Sequence, residues 1–239
     1  MYPFPFARLS LRILRGLILC LIFDPLFVVV YRYAENGSLG KTLEAFGKLD
    51  EKLVASYVTK ILDGLDYIHR NGVVHCNLRA DSILTTRDGG VKLSEFGTSL
   101  RLREIEQMSS VVASSPNWTA PEVIQLELKG ISTKSDIWSL GCTVIELLTG
   151  KPPYADIPNI MTGSAPFCIQ FTKINPSLVL SVMSRIVEDD RPSIPGCFDD
   201  PLIAFLKECF HKDPAQRPSA GELLRHEWFK QHLRLNQVR

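Results

Sequence analysis

The side chains that could do chemistry are densest between residues 75 and 97. The run His75-Cys76-Asn77-Leu78-Arg79-Ala80-Asp81-Ser82 sets an amide, a guanidinium and a hydroxyl close together, and Glu95-Phe96-Gly97 follows with a carboxylate. An amide takes no proton, while Arg79 carries a fixed positive charge and Glu95 a negative one. Elsewhere the chemistry is sparse. Cys20, Cys76, Cys142, Cys168, Cys197 and Cys209 contain no C-x-x-C pair, which argues against a zinc site or disulfide framework and for reduced thiols in the cytoplasm. His69, His211, His226 and His232 fall at helix ends without ligand-spaced partners and read as structural.

The elements that must position these residues are mostly helical. Leu53, Tyr57, Ile61, Leu65 and Ile68 recur at helical spacing and predict a helix over Asp50–Asn71, closed by Gly72. Val73–Val74 and Val91–Leu93 predict short strands, the second led by the turn Asp88-Gly89-Gly90. Ser135–Thr149 is so apolar that it predicts a central buried helix, ended by Gly150 and Pro152-Pro153. A further helix is expected from Asp200-Pro201 to Phe210, and Ser219 with Glu222 forms a capping box for a last helix over Ala220–His226. Trp118, Trp138 and Trp228 are expected in the core, and Lys230–Arg239 as a solvated tail.

At 239 residues the chain can bury a core without disulfides or metal. With 27 Lys+Arg against 26 Asp+Glu, its net charge of +1 gives no field for nucleic-acid binding. Residues 9–30 are nearly all apolar, but Arg12, Arg15, Asp24 and Pro25 interrupt them. Each charge near mid-bilayer costs about 2.5–3.5 kcal/mol, and no small-x-small cleavage site follows. The expected reading is therefore a buried strand at Leu26–Tyr31 after an atypical segment 1–25, without membrane contact.

The strings of residues 75–97 resemble the catalytic and metal loops of protein kinases, whose patterns are H-R-D-L-x-x-x-N and D-F-G, followed by A-P-E. Ala120-Pro121-Glu122 keeps the third pattern, Asp136-Ile137-Trp138-Ser139-Leu140-Gly141 looks like the family's buried helix, and Arg217 matches the arginine that pairs with the A-P-E glutamate. Within kinases, Tyr33-Ala34-Glu35-Asn36-Gly37-Ser38-Leu39, Ser109-Ser110-Val111-Val112 and Ser135 through Tyr154 resemble fungal septation kinases, a Ser/Thr group similar to MAP-kinase kinase kinases. The resemblance covers 26–161 and 183–229. It implies an α+β kinase fold, mostly the helical large lobe, with ATP and magnesium as the family's cofactors and protein partners in a signalling pathway. It places Tyr31, Tyr33, Ala34 and Leu84 at the hinge and adenine side, and His75, Phe96, Gly97, Glu122, Asp136 and Arg217 in the scaffold.

The departures sit at the chemistry. By this resemblance Asn77 stands where the base aspartate belongs, Ser82 and Glu95 at the two metal positions, Arg79 at the loop lysine, and Cys76 at the arginine that grips a phosphorylated activation segment. The scaffold positions match while the base and metal positions do not, which implies a pseudokinase with doubtful ATP and magnesium binding. Ahead of Arg32 there are 31 residues, whereas five strands and a helix need roughly 40, so the small lobe is expected to be essentially missing, with its Gly-rich loop and lysine. Residues 162–182 have no family counterpart and are expected to be intervening sequence retained in the gene model, as is the N-terminus. The functional expectation is a kinase-like domain acting as a binding or scaffold module in a septation-type pathway. The rival is an active ATP-dependent Ser/Thr kinase with an incomplete gene model.

Overall fold

The computed structural model describes residues 17–23, 26–31, 34–102, 115–157 and 176–234. Its first part is an antiparallel hairpin of β1 (Leu17–Phe23) and β2 (Leu26–Tyr31), with Phe23 opposite Leu26 and Cys20 opposite Val29. The expected strand at Leu26–Tyr31 is thus paired with a second that the charge-interrupted apolar run had not suggested. From Ala34 onward the fold is mostly helical with short two-stranded sheets.

Helix α1 (Leu39–Phe46) starts at Ser38, whose hydroxyl accepts the Lys41 N–H at 3.2 Å. Helix α2 (Glu51–Arg70) starts at Asp50, which accepts from Lys52 N–H at 2.9 Å, and the chain leaves it through Gly72 at φ +70°. The buried stripe of α2 is Val54, Ala55, Val58, Ile61, Leu62, Leu65 and Ile68. Leu53 is 41% exposed, so the stripe lies one residue along from the predicted one in the first turns. Near a helix start, spacings of three and four fit two adjacent stripes, and tertiary packing selected the valines.

Strand β3 (Val73–Val74) follows α2 and pairs with β6 (Leu100–Arg101), while β4 (Ile83–Thr85) pairs with β5 (Val91–Leu93). The loop 75–82 and the Glu95-Phe96-Gly97 segment are thereby fixed at both ends by ladders. Helix α3 (Pro121–Leu126) precedes α4 (Thr133–Thr149), the centre of the core. Ser132 caps α4, and Gly150 ends it at φ +79° against Gly47, whose carbonyl leaves no room for a Cβ. Ile137, Trp138, Leu140, Cys142, Val144, Leu147 and Leu148 on α4 are all buried. Fully burying side chains of this size contributes about 1.5–3 kcal/mol each, so α4 anchors everything attached to it.

Helix α5 (Pro176–Glu188) buries Val182 and Ile186, and the Lys212 ammonium caps its end by donating to the Ile186 and Val187 carbonyls at 3.1 and 2.6 Å. Residues 158–175 lie outside the described residues, whereas 176–182 form the first turns of α5 and are continuous with 183–188. Helix α6 (Asp200–Cys209) begins with Pro201 at its second position. The helix expected over Ala220–His226 ends early, as α7 (Ala220–Leu223) with the Ser219–Glu222 capping box, and a further helix, α8 (Glu227–Arg234), runs into the expected tail. His226 breaks the run because its Nδ1 accepts the Trp228 N–H at 3.1 Å, starting a new helix. Trp228 and Phe229 then pack on Phe205 of α6 with ring centroids 4.8 and 5.5 Å apart.

Candidate functional site

The site is built on Asp136 in the first turn of α4. Its buried carboxylate accepts the His75 N–H at 2.8 Å and the Cys76 N–H at 3.0 Å, and contacts His69 Nε2 at 2.8 Å. Cys76 is held in the left-handed region, φ +64°, a conformation that costs a residue with a Cβ about 1–2 kcal/mol. Burial, and Asp136 beside it, push the Cys76 thiol well up. His75 is fully buried, accepts the Asn77 N–H on Nδ1 at 3.3 Å and donates from Nε2 to the Ser94 carbonyl at 2.8 Å. One ring nitrogen accepting and the other donating is the neutral imidazole, in keeping with burial lowering its pKa. The Phe96 ring meets it edge-on at 5.0 Å.

These contacts aim Asn77 at Glu95. The Asn77 amide donates to Glu95 Oε2 at 2.9 Å, and its carbonyl accepts the Ser115 hydroxyl at 3.2 Å. Glu95 itself sits at φ +60° and is exposed, with Gly97 exposed beyond it. Asn77 thereby joins Glu95 to Ser115, side chain to side chain. Ser82 is turned elsewhere. Its fully buried hydroxyl accepts the Arg79 N–H at 3.0 Å and donates to the Arg79 carbonyl at 2.9 Å.

Arg79 pairs with Asp81 at 3.1 Å and lies 5.9 Å from the Trp118 ring centre. Trp118 donates to Glu146 Oε2 at 2.9 Å, and the same oxygen accepts the Ala80 N–H at 3.0 Å. Burial raises the Glu146 pKa to about 7. Neither Ser115 nor Glu146 was singled out from sequence as a site-building residue. For Glu146 a signal existed, since it is the one charge in the apolar stretch Ile137–Thr149 of α4.

The turn at 34–38 and strand β4 meet through the backbone. Gly37 N–H donates to the Ala34 carbonyl, Ser38 bridges Leu84, and Asn36 N–H reaches the Thr85 carbonyl at 3.2 Å. Tyr31 ends β2, and Tyr33 lies outside the described residues, as do Ser109 and Ser110. On the far side, Arg217 and Glu122 form a buried two-pronged pair at 2.7 and 2.8 Å. The guanidinium also donates to the His211 and Lys134 carbonyls and lies 5.0 Å from the Trp138 ring centre.

The model of the protein kinase domain matches residues 20–229. The chain belongs to the protein kinase domain family. Its relatives include "MAP3K epsilon protein kinase 1" of Arabidopsis thaliana, 41% identical over 208 residues that make up 86% of this chain and 14% of that protein. "Cell division control protein 7" of Schizosaccharomyces pombe is 42% identical over 200 residues, 84% of this chain and 17% of that protein. "Cytokinesis protein sepH" of Aspergillus niger is 42% identical over 210 residues, 88% of this chain and 14% of that protein. The chain thus spans less than a fifth of the length of these curated relatives.

Protein kinases use ATP with magnesium, and the residues present do not fit the metal. A magnesium site needs free oxygens in near-octahedral array. Here one Glu95 oxygen is engaged by an amide and the Ser82 hydroxyl is buried within its own turn. Among the described residues there is no group of three or more His, Cys, Asp or Glu able to hold a metal ion, and no helix long and apolar enough to cross a membrane.

Proposed function

We propose that this kinase domain is a pseudokinase, a protein-binding or scaffold module in a cytokinesis-type signalling pathway of the cytoplasm. The observation that carries the reading is the Asn77–Glu95 hydrogen bond at 2.9 Å. An amide stands where the resemblance puts the base, and its donor is spent on the carboxylate at a metal position. Removing a positioned general base typically costs 10²–10⁴-fold in rate, before any loss from the altered metal positions is counted. The fold around the gap is intact, with the Asp136, Arg217–Glu122 and α4 contacts made, which leaves a rigid surface for a protein partner. Relatives with cytokinesis and cell-division names support the pathway, and the free thiols of Cys76, Cys142, Cys197 and Cys209 fit a reducing compartment.

The identity of 41% to a protein named a kinase favours the rival reading of an active ATP-dependent Ser/Thr kinase. Incubation with radiolabelled ATP, magnesium and a general protein substrate separates the two when the chain is extended upstream by the Gly-rich loop and strand lysine that the rival reading supposes. The expected result is no labelled product from the chain, nor from its Asn77→Asp variant, because Ser82 and Glu95 remain. Magnesium-dependent labelling above a no-enzyme control, from either protein, overturns the proposal.

A further inference from the structure

We infer that the Asn77 amide takes the place of a divalent cation as the tie between the 75–79 loop and the Glu95 segment, so that this face of the chain keeps its shape without metal. Three observations carry it. The orientation of the amide is fixed by its two partners. A carboxylate only accepts, so the NH₂ end of Asn77 faces Glu95 Oε2, and the carbonyl end is left for the Ser115 hydroxyl. The tie is thus a neutral donor on a charged acceptor, the stronger class of hydrogen bond.

The backbone around the tie is also set without an ion. Ser94 N–H and its hydroxyl both donate to the Ser82 carbonyl, at 2.8 and 3.0 Å, and His75 Nε2 donates to the Ser94 carbonyl. The loop and the segment are therefore joined directly at 75–94, 77–95 and 82–94. Finally, the Ser82 hydroxyl is buried and engaged within its own turn, accepting from the Arg79 N–H and donating to the Arg79 carbonyl. An aspartate at position 77 would reverse the arrangement. It has no donor for Glu95, and two carboxylates at this spacing repel unless a cation or a proton lies between them.

The inference extends the pseudokinase reading but can fail separately from it. The test is thermal unfolding of the full chain in chelator, in magnesium chloride and in sodium chloride of equal ionic strength. The parent is expected to have the same Tm in all three. Asn77→Asp is expected to lose about 2–4 °C in chelator and to regain it in magnesium. The double variant Asn77→Asp with Glu95→Gln restores one donor and one acceptor in swapped positions, so its Tm is expected to return in chelator and to lose the magnesium response. A magnesium-specific rise in the parent overturns the inference, as does an Asn77→Asp variant indifferent to magnesium. If Asn77→Asp does not fold, hydrogen exchange of the parent decides. Equal protection of residues 94–97 with and without magnesium supports the tie, and added protection in magnesium overturns it. Magnesium-specific stabilisation without phosphoryl transfer would leave the pseudokinase proposal standing.

Discussion

Asp136 Oδ1 lies 3.0 Å from the Cys76 amide, and that bond holds a residue with a Cβ in the left-handed region. The other oxygen takes the His75 amide at 2.8 Å, so one carboxylate on the most buried helix sets the backbone from which Asn77 projects. The strain at Cys76 is sustained because α4 cannot shift to release it.

Replacement of Asp136 by Ala removes the acceptor of two buried backbone amides. Hydrogen bonds to a charged group contribute about 1.5–3 kcal/mol each, and the amides left behind are desolvated and unpaired. The expected outcome is a loss of at least about 3 kcal/mol in urea unfolding, with faster hydrogen exchange at His75 and Cys76. A loss below about 1 kcal/mol would show that the loop is set by other contacts.

Thiol reactivity should follow exposure. Cys197 is exposed, whereas Cys142 and Cys209 are fully buried and burial pushes both thiols up. Cys76 is partly buried, and Asp136 adds to burial in raising its pKa. Among these four, alkylation of the native chain at mildly alkaline pH, read by peptide mass spectrometry, is expected to label Cys197 first. Cys142 and Cys209 are expected to react only on unfolding. Cys76 reacting as fast as Cys197 would contradict the placement of its sulfur beside Asp136.

Local signals in the sequence located much of this fold. The caps Asp50 and Ser219 mark helix starts because each side chain bonds an amide a few residues ahead, whereas α4, capped by Ser132, starts two residues before the expected Ser135. The apolar run of α4 marks a buried helix for equally local reasons. Contacts across long separations were not legible. Asn77 meets Glu95 eighteen residues away and Ser115 thirty-eight away, and Glu146 reaches Ala80 across sixty-six. Only the folded core brings those pairs together. The Leu53 stripe failed for a related reason, since periodicity near a helix end does not say which neighbour faces the core.

The Arg217–Glu122 pair is buried and also stacked on Trp138, so it ties α3, α4 and the 211–218 segment together. Removing one member of such a pair leaves an uncompensated charge and costs about 3–5 kcal/mol. Arg217→Ala and Glu122→Ala are each expected to destabilise by that amount, and the double variant by clearly less than the sum. Additive losses in the double-mutant cycle would mean that the two side chains act independently.

Glu146 gives the chain a pH-dependent weakness. Its carboxyl has a pKa of about 7 when folded, against an ordinary value of 4.5, because burial penalises the charged form more than Ala80 and Trp118 favour it. Between those values the folded state binds the extra proton, so stability falls as pH rises through this window, by at most about 3 kcal/mol for the shift of 4.5 to about 7. His75 acts the other way. Its pKa is depressed from 6.5 by burial, so its contribution is present above that value and is lost as pH falls below it. Comparing the parent with Glu146→Gln isolates the first group, since both chains share His75. The glutamine keeps an oxygen for the Ala80 and Trp118 donors and has no proton to lose. Urea unfolding is expected to show the variant gaining on the parent from pH 5 to pH 8, with the difference levelling off above about pH 7. A difference that stays constant across that range would place the Glu146 carboxylate in a better solvated setting than its bonds to Ala80 and Trp118 describe.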